Sequence, residues 1–177
     1  MKGALVTRRR VVVGGVGLGA AVALGALVIP PKPARGMRVL GAEEQRVVAA
    51  LGEALFPPGN AVGPSWQDID LVAEVDRILD RVLSDQAVFA FRTLLTALDW
   101  SAVLVAGKPV TACRLDERLE LCRELEQRQS VVRRAAKDGL RGVFALAYFD
   151  HPRVWASIGY RSRCTGEPAL PDQEGAL

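Results

Sequence analysis

Residues 84–106 read SDQAVFAFRTLLTALDWSAVLVA and carry the clearest helical pattern in the chain. Apolar side chains recur along this stretch at steps of three and four residues, at Val88, Phe91, Leu95, Leu98, Ala102 and Val105. Ser84 is suited to cap its N-terminus, and Gly107 followed by Pro109 ends the pattern. A narrow apolar seam of this kind is typical of a helix packed in a bundle. We therefore expect an all-α protein.

The same periodicity predicts four other main helices around this one. The first covers residues 42–56 and turns Val47, Val48, Leu51, Ala54 and Leu55 inward. The second opens at Ser65-Trp66-Gln67-Asp68 and buries Leu71 or Val72, Val75, Ile78, Leu79 and Val82. The fourth covers residues 115–128, and the fifth begins at Ser130 and buries Val132, Ala136, Leu140, Val143 and Ala147. A short helix is expected over residues 153–158, with no β-strand pattern anywhere.

The chain therefore predicts one helical bundle domain, residues 42–160, of about five main helices. Residues 31–41 are rich in proline and are expected to be an extended tether. Residues 161–177 contain few apolar side chains and several Gly and Pro, which favours a disordered tail.

Residues 1–30 have the parts of an export leader. Thr7-Arg8-Arg9-Arg10-Val11-Val12 resembles the twin-arginine consensus, with Arg8 and Arg9 as the export signal read by the twin-arginine translocase. The next 19 residues, Val11–Ile29, carry no charge, and five of them are glycine. Such a mildly apolar run is typical of a twin-arginine leader, which exports proteins that have already folded.

The same run could also remain as a membrane anchor. Nineteen residues in a helix span about 28 Å, which is close to the hydrocarbon thickness of a bilayer. No Ala-x-Ala cleavage site follows Ile29. Two outcomes therefore stay open: the leader is cleaved, or residues 11–29 remain as a membrane anchor. In either case the bundle is expected in the periplasm or at the extracytoplasmic face of the inner membrane.

The charge balance argues against nucleic acid as a partner. Only 19 of the 23 Lys and Arg lie after residue 30, against all 20 Asp and Glu, so the body has a net charge of −1. Nucleic-acid binding needs a clustered basic surface on the folded domain.

The cysteines and the single histidine predict no metal or haem site on this chain. There is no C-x-x-C, and His151 is alone. An exported chain can form a disulfide, and Cys113 with Cys122 is the candidate pair. Alternatively, Cys122 is a core residue, because it shares a helix face with Leu115, Leu119 and Leu125.

No catalytic constellation is found in the sequence. A glycine-rich phosphate loop is absent, and His151 stands before a proline, where a surface or capping role is expected. Asp76 and Asp80 are one helical turn apart and flanked by Arg77 and Arg81, which indicates a solvated face.

The aromatic residues are the candidate partner interface. Tyr148, Phe149, Trp155 and Tyr160 fall within thirteen positions, and Trp100 stands apart. Tryptophan and tyrosine anchor many interfaces, although some of these side chains are expected to pack into the end of the bundle core.

Several ordered motifs resemble the gluconate 2-dehydrogenase subunit 3 family. They are Phe91-x-x-Leu-Leu, Leu98-Asp99-Trp100, Gly107-Lys108-Pro109-Val110-Thr111, Leu115-Asp116-Glu117-Arg118, Ala145-Leu146-Ala147-Tyr148 and Pro152-x-Val154-Trp155-x-x-Ile158-Gly159-Tyr160. Asp76 also fits this pattern. Members are twin-arginine small subunits that accompany flavin-dependent alcohol and sugar dehydrogenases of the glucose–methanol–choline class.

This resemblance implies a non-catalytic escort with no cofactor of its own. The partner would be the flavoprotein large subunit, which holds FAD and passes electrons to a cytochrome c subunit or a quinone. The residues after Tyr160 lack the Gly-Pro expected of the family, so no role at the partner surface is assigned to the tail. A membrane-anchored helical protein that binds a lipid or another envelope protein is the alternative.

Overall fold

The structure is a computed structural model, in which residues 31–127 and 131–160 are described. The predictions on the leader, on Ser130 as a cap and on the tail after Tyr160 lie outside the described residues. So do those on the side chains of Val105, Leu125 and Val132.

Every regular element in the described residues is helical, which confirms the all-α prediction. The helices are α1 (Ala42–Leu55), α2 (Leu71–Arg81), α3 (Asp85–Ala106), α4 (Leu115–Gln127), α5 (Val131–Phe149) and α6 (Pro152–Ser157), with a 3₁₀ turn over Val110–Ala112. Ser84 caps α3, and Gly107 ends it with a left-handed φ of 76°. Most predicted bounds are correct to within one or two residues.

The apolar seam of α3 forms one wall of a single core. Phe91, Leu95, Leu98 and Ala102 are at most 5% exposed. Helix α1 lies at the centre and contacts α2, α3, α4 and the 3₁₀ turn, while α5 packs mainly along α2. The inner face of α5 adds Phe144, which is fully buried and completes the core.

Helix α2 begins five residues later than its capping pattern predicts. The Ser65 backbone N–H and hydroxyl both donate to the Asp68 carboxylate, at 2.7 and 2.6 Å, which closes a separate turn. Asp70 then adopts a left-handed φ of 47°, which interrupts any helical path before Leu71. Because α2 ends at Arg81, Val82 lies beyond its buried stripe and is 58% exposed rather than buried.

Residues 31–41, predicted to be a free tether, are folded against the body; we call this segment the strap. The backbone N–H groups of Arg38, Val39 and Leu40 donate to the Asp76 carboxylate at 2.8, 3.0 and 2.8 Å. The Leu40 side chain is fully buried in the core. The strap is therefore part of the domain.

Asp76 consequently does not lie on the solvated face predicted for it. It is 4% exposed, whereas Asp80, one turn on, stays partly exposed and accepts a hydrogen bond from the Arg38 guanidinium at 2.6 Å. Local spacing could not reveal this difference, because the donors reach Asp76 from 36 to 38 residues away in the chain.

A second buried contact joins the strap to α1 and α3. Glu44 accepts a hydrogen bond from the Gly41 N–H at 2.6 Å and from Arg92 Nε at 2.8 and 3.0 Å. Arg92 Nη2 also donates to the Pro31 carbonyl at 2.5 Å. The Glu44 and Arg92 side chains are 5% and 11% exposed, so water competes little for these bonds. The strap is thus held at both of its ends.

Candidate partner-binding surface

The outward side of α3 carries no ionised side chain over most of its length. The residues that share this side follow one another at steps of four, three, four and four: Phe89, Thr93, Thr96, Trp100 and Leu104. We call them the α3 face. Phe89 is 38%, Trp100 64% and Leu104 49% exposed. This leaves apolar surface open to solvent.

The charged residues of α3 after its first turn are used elsewhere. Arg92 is paired with Glu44, and the Asp99 carboxylate accepts a hydrogen bond from the Val110 N–H at 2.9 Å. Among the described residues, one helical stretch, Asp85–Leu104, is long and apolar enough to cross a membrane, yet only 28% of it is buried. The α3 face is therefore a candidate interaction site.

A second exposed apolar surface lies at the C-terminal end of the described chain. It consists of Leu146, Phe149, Trp155, Ile158 and Tyr160, which we call the terminal patch. Trp155 Nε1 donates to the Phe149 carbonyl, and the Trp155 ring meets Tyr160 edge-on with centroids 5.8 Å apart. Gly159 has a φ of 67°, which turns the chain so that Tyr160 returns to α6.

The structure places the five predicted interface residues in two environments. Trp100, Phe149 and Tyr160 are exposed and Trp155 is half-buried, whereas Tyr148 belongs to the core and is not available to a partner. Its ring stacks on Phe56 with centroids 3.9 Å apart, and its hydroxyl donates to the Pro64 carbonyl at 2.6 Å. A signal for this existed in the sequence, because Tyr148 is one turn beyond Phe144 on the inward face of α5.

Sequence reasoning also missed apolar members of both surfaces. Leu104 lies one turn after Trp100, and Phe89 lies three turns before it. Leu146 and Ile158 are 49% and 50% exposed. Helical spacing from Trp100 could have identified the first two residues, since an exposed tryptophan defines which side of α3 faces out.

We expect Tyr148→Phe to lower the free energy of unfolding by about 1 kcal/mol at neutral pH, because a buried hydrogen bond is lost. Burial, the largest cause, raises the pKa of the Tyr148 hydroxyl above its ordinary value of 10.0. The neutral phenol therefore stabilises the fold below about pH 10, and this contribution is lost as the pH rises through the folded pKa.

Urea unfolding of both proteins at about pH 8 and about pH 11 tests this expectation. The difference between wild type and Tyr148→Phe should shrink at the higher pH. Tyr160→Phe, an exposed tyrosine, is the matched control and should show no pH-dependent difference. If the difference in the free energy of unfolding between wild type and Tyr148→Phe were the same at both pH values, burial of the neutral phenol would not explain the stability.

The Trp100 end of the α3 face and the Phe149 side of the terminal patch lie toward the C-terminal end of α1, whereas Phe89 lies three residues before Arg92, which contacts the strap. Beside Trp100, Asp99 bonds to Val110, whose carbonyl accepts from Arg118 at 3.2 Å. Arg118 in turn donates to the Ala50 carbonyl at 3.4 Å. On the other side, Tyr148, next to Phe149, stacks on Phe56, the residue after α1. The strap, in contrast, meets the N-terminal end of α1.

His151 and the acidic residues form no site in the described chain. His151 Nδ1 accepts a hydrogen bond from the Arg153 N–H at 3.2 Å and so caps α6, as its position before Pro152 predicts. Residues 31–127 and 131–160 contain no group of three or more His, Cys, Asp or Glu that could hold a metal ion.

The predicted disulfide between Cys113 and Cys122 is not formed in this structure, where Cys113 is a free, buried thiol. Burial, then Glu117, raises the pKa of Cys113, which disfavours the reactive thiolate. Cys122 packs against the core, as its alternative interpretation expected.

The fold and its surface define a class: a small helical protein with several large apolar side chains exposed to solvent. A family model described as gluconate 2-dehydrogenase subunit 3 matches residues 42–161. The chain belongs to the gluconate 2-dehydrogenase subunit 3 family, and so to the subunits of a dehydrogenase complex. This confirms the resemblance seen in the motifs. No curated protein and no solved structure matches the chain.

Proposed function

We propose that this chain is the non-catalytic small subunit of an exported flavin-dependent alcohol or sugar dehydrogenase. The family match over residues 42–161 is the observation that carries the proposal. The partner is a large flavoprotein subunit of the glucose–methanol–choline class, which binds FAD and oxidises the substrate. A cytochrome c subunit receives the electrons. The small subunit binds no cofactor itself.

The leader supports an escort role. Arg8 and Arg9 precede an uncharged run, and a twin-arginine signal directs folded proteins through the translocase. A catalytic subunit that has already folded around FAD can then be exported while bound to this chain. The complex works in the periplasm or at the extracytoplasmic face of the inner membrane.

The α3 face supports a stabilising role for the catalytic subunit. An uncharged face attracts a partner by burial of apolar area rather than by ion pairs, at about 25 cal/mol per Å² removed from water. The exposed Trp100 has the size and rigidity of an interface anchor. The terminal patch offers further exposed apolar area.

Affinity purification of the tagged chain from its native host tests the proposal. A stoichiometric larger chain with flavin absorbance near about 370 and 450 nm would support it, since the cofactor supplies these bands. A colourless protein, recovered alone from the membrane, would overturn it in favour of the stand-alone alternative.

We expect Trp100→Ala combined with Leu104→Ala to weaken binding of the catalytic subunit by about 30-fold or more, as for loss of an interface anchor. Both side chains are exposed, so the free energy of unfolding should change by no more than about 0.5 kcal/mol. Isothermal titration of the two purified subunits, followed by urea unfolding of the variant, measures both quantities.

Val82→Ala is the matched control, because Val82 is an equally exposed apolar residue beyond the far end of α2, near the strap. It should bind the catalytic subunit like wild type. Equal affinity of the α3 variant and the control would show that the α3 face is not the docking surface.

A further inference from the structure

The strap leaves almost no slack between the leader and the folded body. Arg92 holds the Pro31 carbonyl at 2.5 Å, and Pro31 also lies against Gly41 at the start of α1. Pro30 alone separates this attachment from Ile29, the end of the uncharged run. Two residues reach at most about 7 Å, so an anchored leader would bring the body directly against the membrane.

The surface at this point is basic. Lys32 and Arg35 are exposed, and neither takes part in an ion pair within residues 31–127 and 131–160. Arg38, by comparison, is already paired with Asp80 at 2.6 Å. Lysine and arginine side chains held near an anionic bilayer are attracted to its surface. The strap therefore offers two cationic groups where the membrane would be.

We propose that the strap is a membrane-docking surface, which seats the N-terminal end of α1 on an anionic phospholipid bilayer through Lys32 and Arg35. The proposal rests on the leader remaining as an anchor, which is one form of the proposed function. The proposed occupant is the lipid surface. An anchored chain would leave the bilayer about one residue before the strap, and the positive charges of Lys32 and Arg35 complement anionic headgroups.

This geometry separates the two attachments of the chain. The strap lies at the N-terminal end of α1, and the contacts of Arg118 and Phe56 place the Trp100 end of the α3 face and Phe149 toward the opposite end. Helix α1 has 14 residues, so its ends are about 20 Å apart. The bundle can thus rest on the bilayer and hold a catalytic subunit on the side away from it.

Depth-dependent fluorescence quenching of the full-length chain tests the proposal without the catalytic subunit. A fluorescent amino acid is incorporated at position 33, in the strap, or at position 116, an exposed control at the far end of α1. The protein is added to preformed vesicles of phosphatidylglycerol and phosphatidylcholine that carry headgroup spin labels. We expect several-fold stronger quenching at position 33 than at position 116.

Two variants test separately the short connection to the leader and the electrostatic attraction of the strap to the bilayer. A flexible Gly-Ser insertion of about twelve residues between Pro30 and Pro31 spans about 20 Å and should remove the difference between the two positions. Lys32→Glu combined with Arg35→Glu should weaken quenching at position 33 in the anionic vesicles and change it little in pure phosphatidylcholine.

Equal quenching at positions 33 and 116 in the parent chain would overturn the proposal, as would quenching that the insertion and the charge reversal leave unchanged. Because no catalytic subunit is present, these outcomes are independent of the co-purification result. A failure of membrane docking by the strap can therefore be distinguished from a failure of the escort function.

Discussion

Asp76→Ala is expected to lower the free energy of unfolding by about 3–5 kcal/mol, a large part of the stability of a domain of this size. The variant leaves three backbone N–H groups, those of Arg38, Val39 and Leu40, without their acceptor. Each buried unsatisfied donor costs about 1–3 kcal/mol, and entry of water at the partly buried Arg38 end offsets some of this.

Urea unfolding followed by circular dichroism measures this loss. Asp80→Ala is the matched control, because Asp80 lies one turn along the same helix and bonds only to an exposed guanidinium. It should cost no more than about 1 kcal/mol. Trypsin cleavage after Arg35 should also accelerate in the Asp76 variant as the strap detaches. A loss for Asp76→Ala no greater than that of the control would contradict the role of Asp76 as the acceptor that holds the strap.

The double substitution Arg8→Lys and Arg9→Lys is expected to leave both this chain and its catalytic subunit in the cytoplasm. The net charge of the leader is unchanged, so a loss of export would report recognition of the planar guanidinium forks, which lysine cannot reproduce. Because the catalytic subunit is proposed to travel bound to this chain, its periplasmic activity should fall nearly to background.

Cell fractionation with detection of both chains measures the effect. Arg10→Lys provides the control, since it changes the third arginine of the same run and should leave export close to normal. Export of the catalytic subunit at the wild-type level in the double variant would show that it has a route of its own. The escort function would then be wrong, even if the two chains bind each other.

The helices were predictable because their signals are local. The seam of α3 appears as a step of three and four residues, and Ser84 and Gly107 are recognisable from their own chemistry as cap and stop. The capping pattern at Ser65 was also real, but it closes a turn, since the left-handed Asp70 interrupts the path to α2. Local signals identify elements more reliably than they identify bounds.

The candidate surface was predictable only in part. Trp100 and Tyr160 are exposed as an interface residue requires, whereas Tyr148 is a core residue that no composition argument separates from its neighbour Phe149. Adjacent residues on a helix point about 100° apart, so one enters the core and the other leaves it. Helical spacing, rather than composition, separates them, because Tyr148 lies one turn beyond the buried Phe144.

By itself, the sequence determined the all-α class and the number and order of the helices, since these follow from local periodicity and composition. Only the tertiary structure decided that residues 31–41 are a strap rather than a tether. The deciding contacts, Asp76 with Leu40 and Arg92 with Pro31, join residues 36 and 61 positions apart. Their partners are brought together by packing of α1, α2 and α3, and buried donors must find acceptors wherever that packing places them.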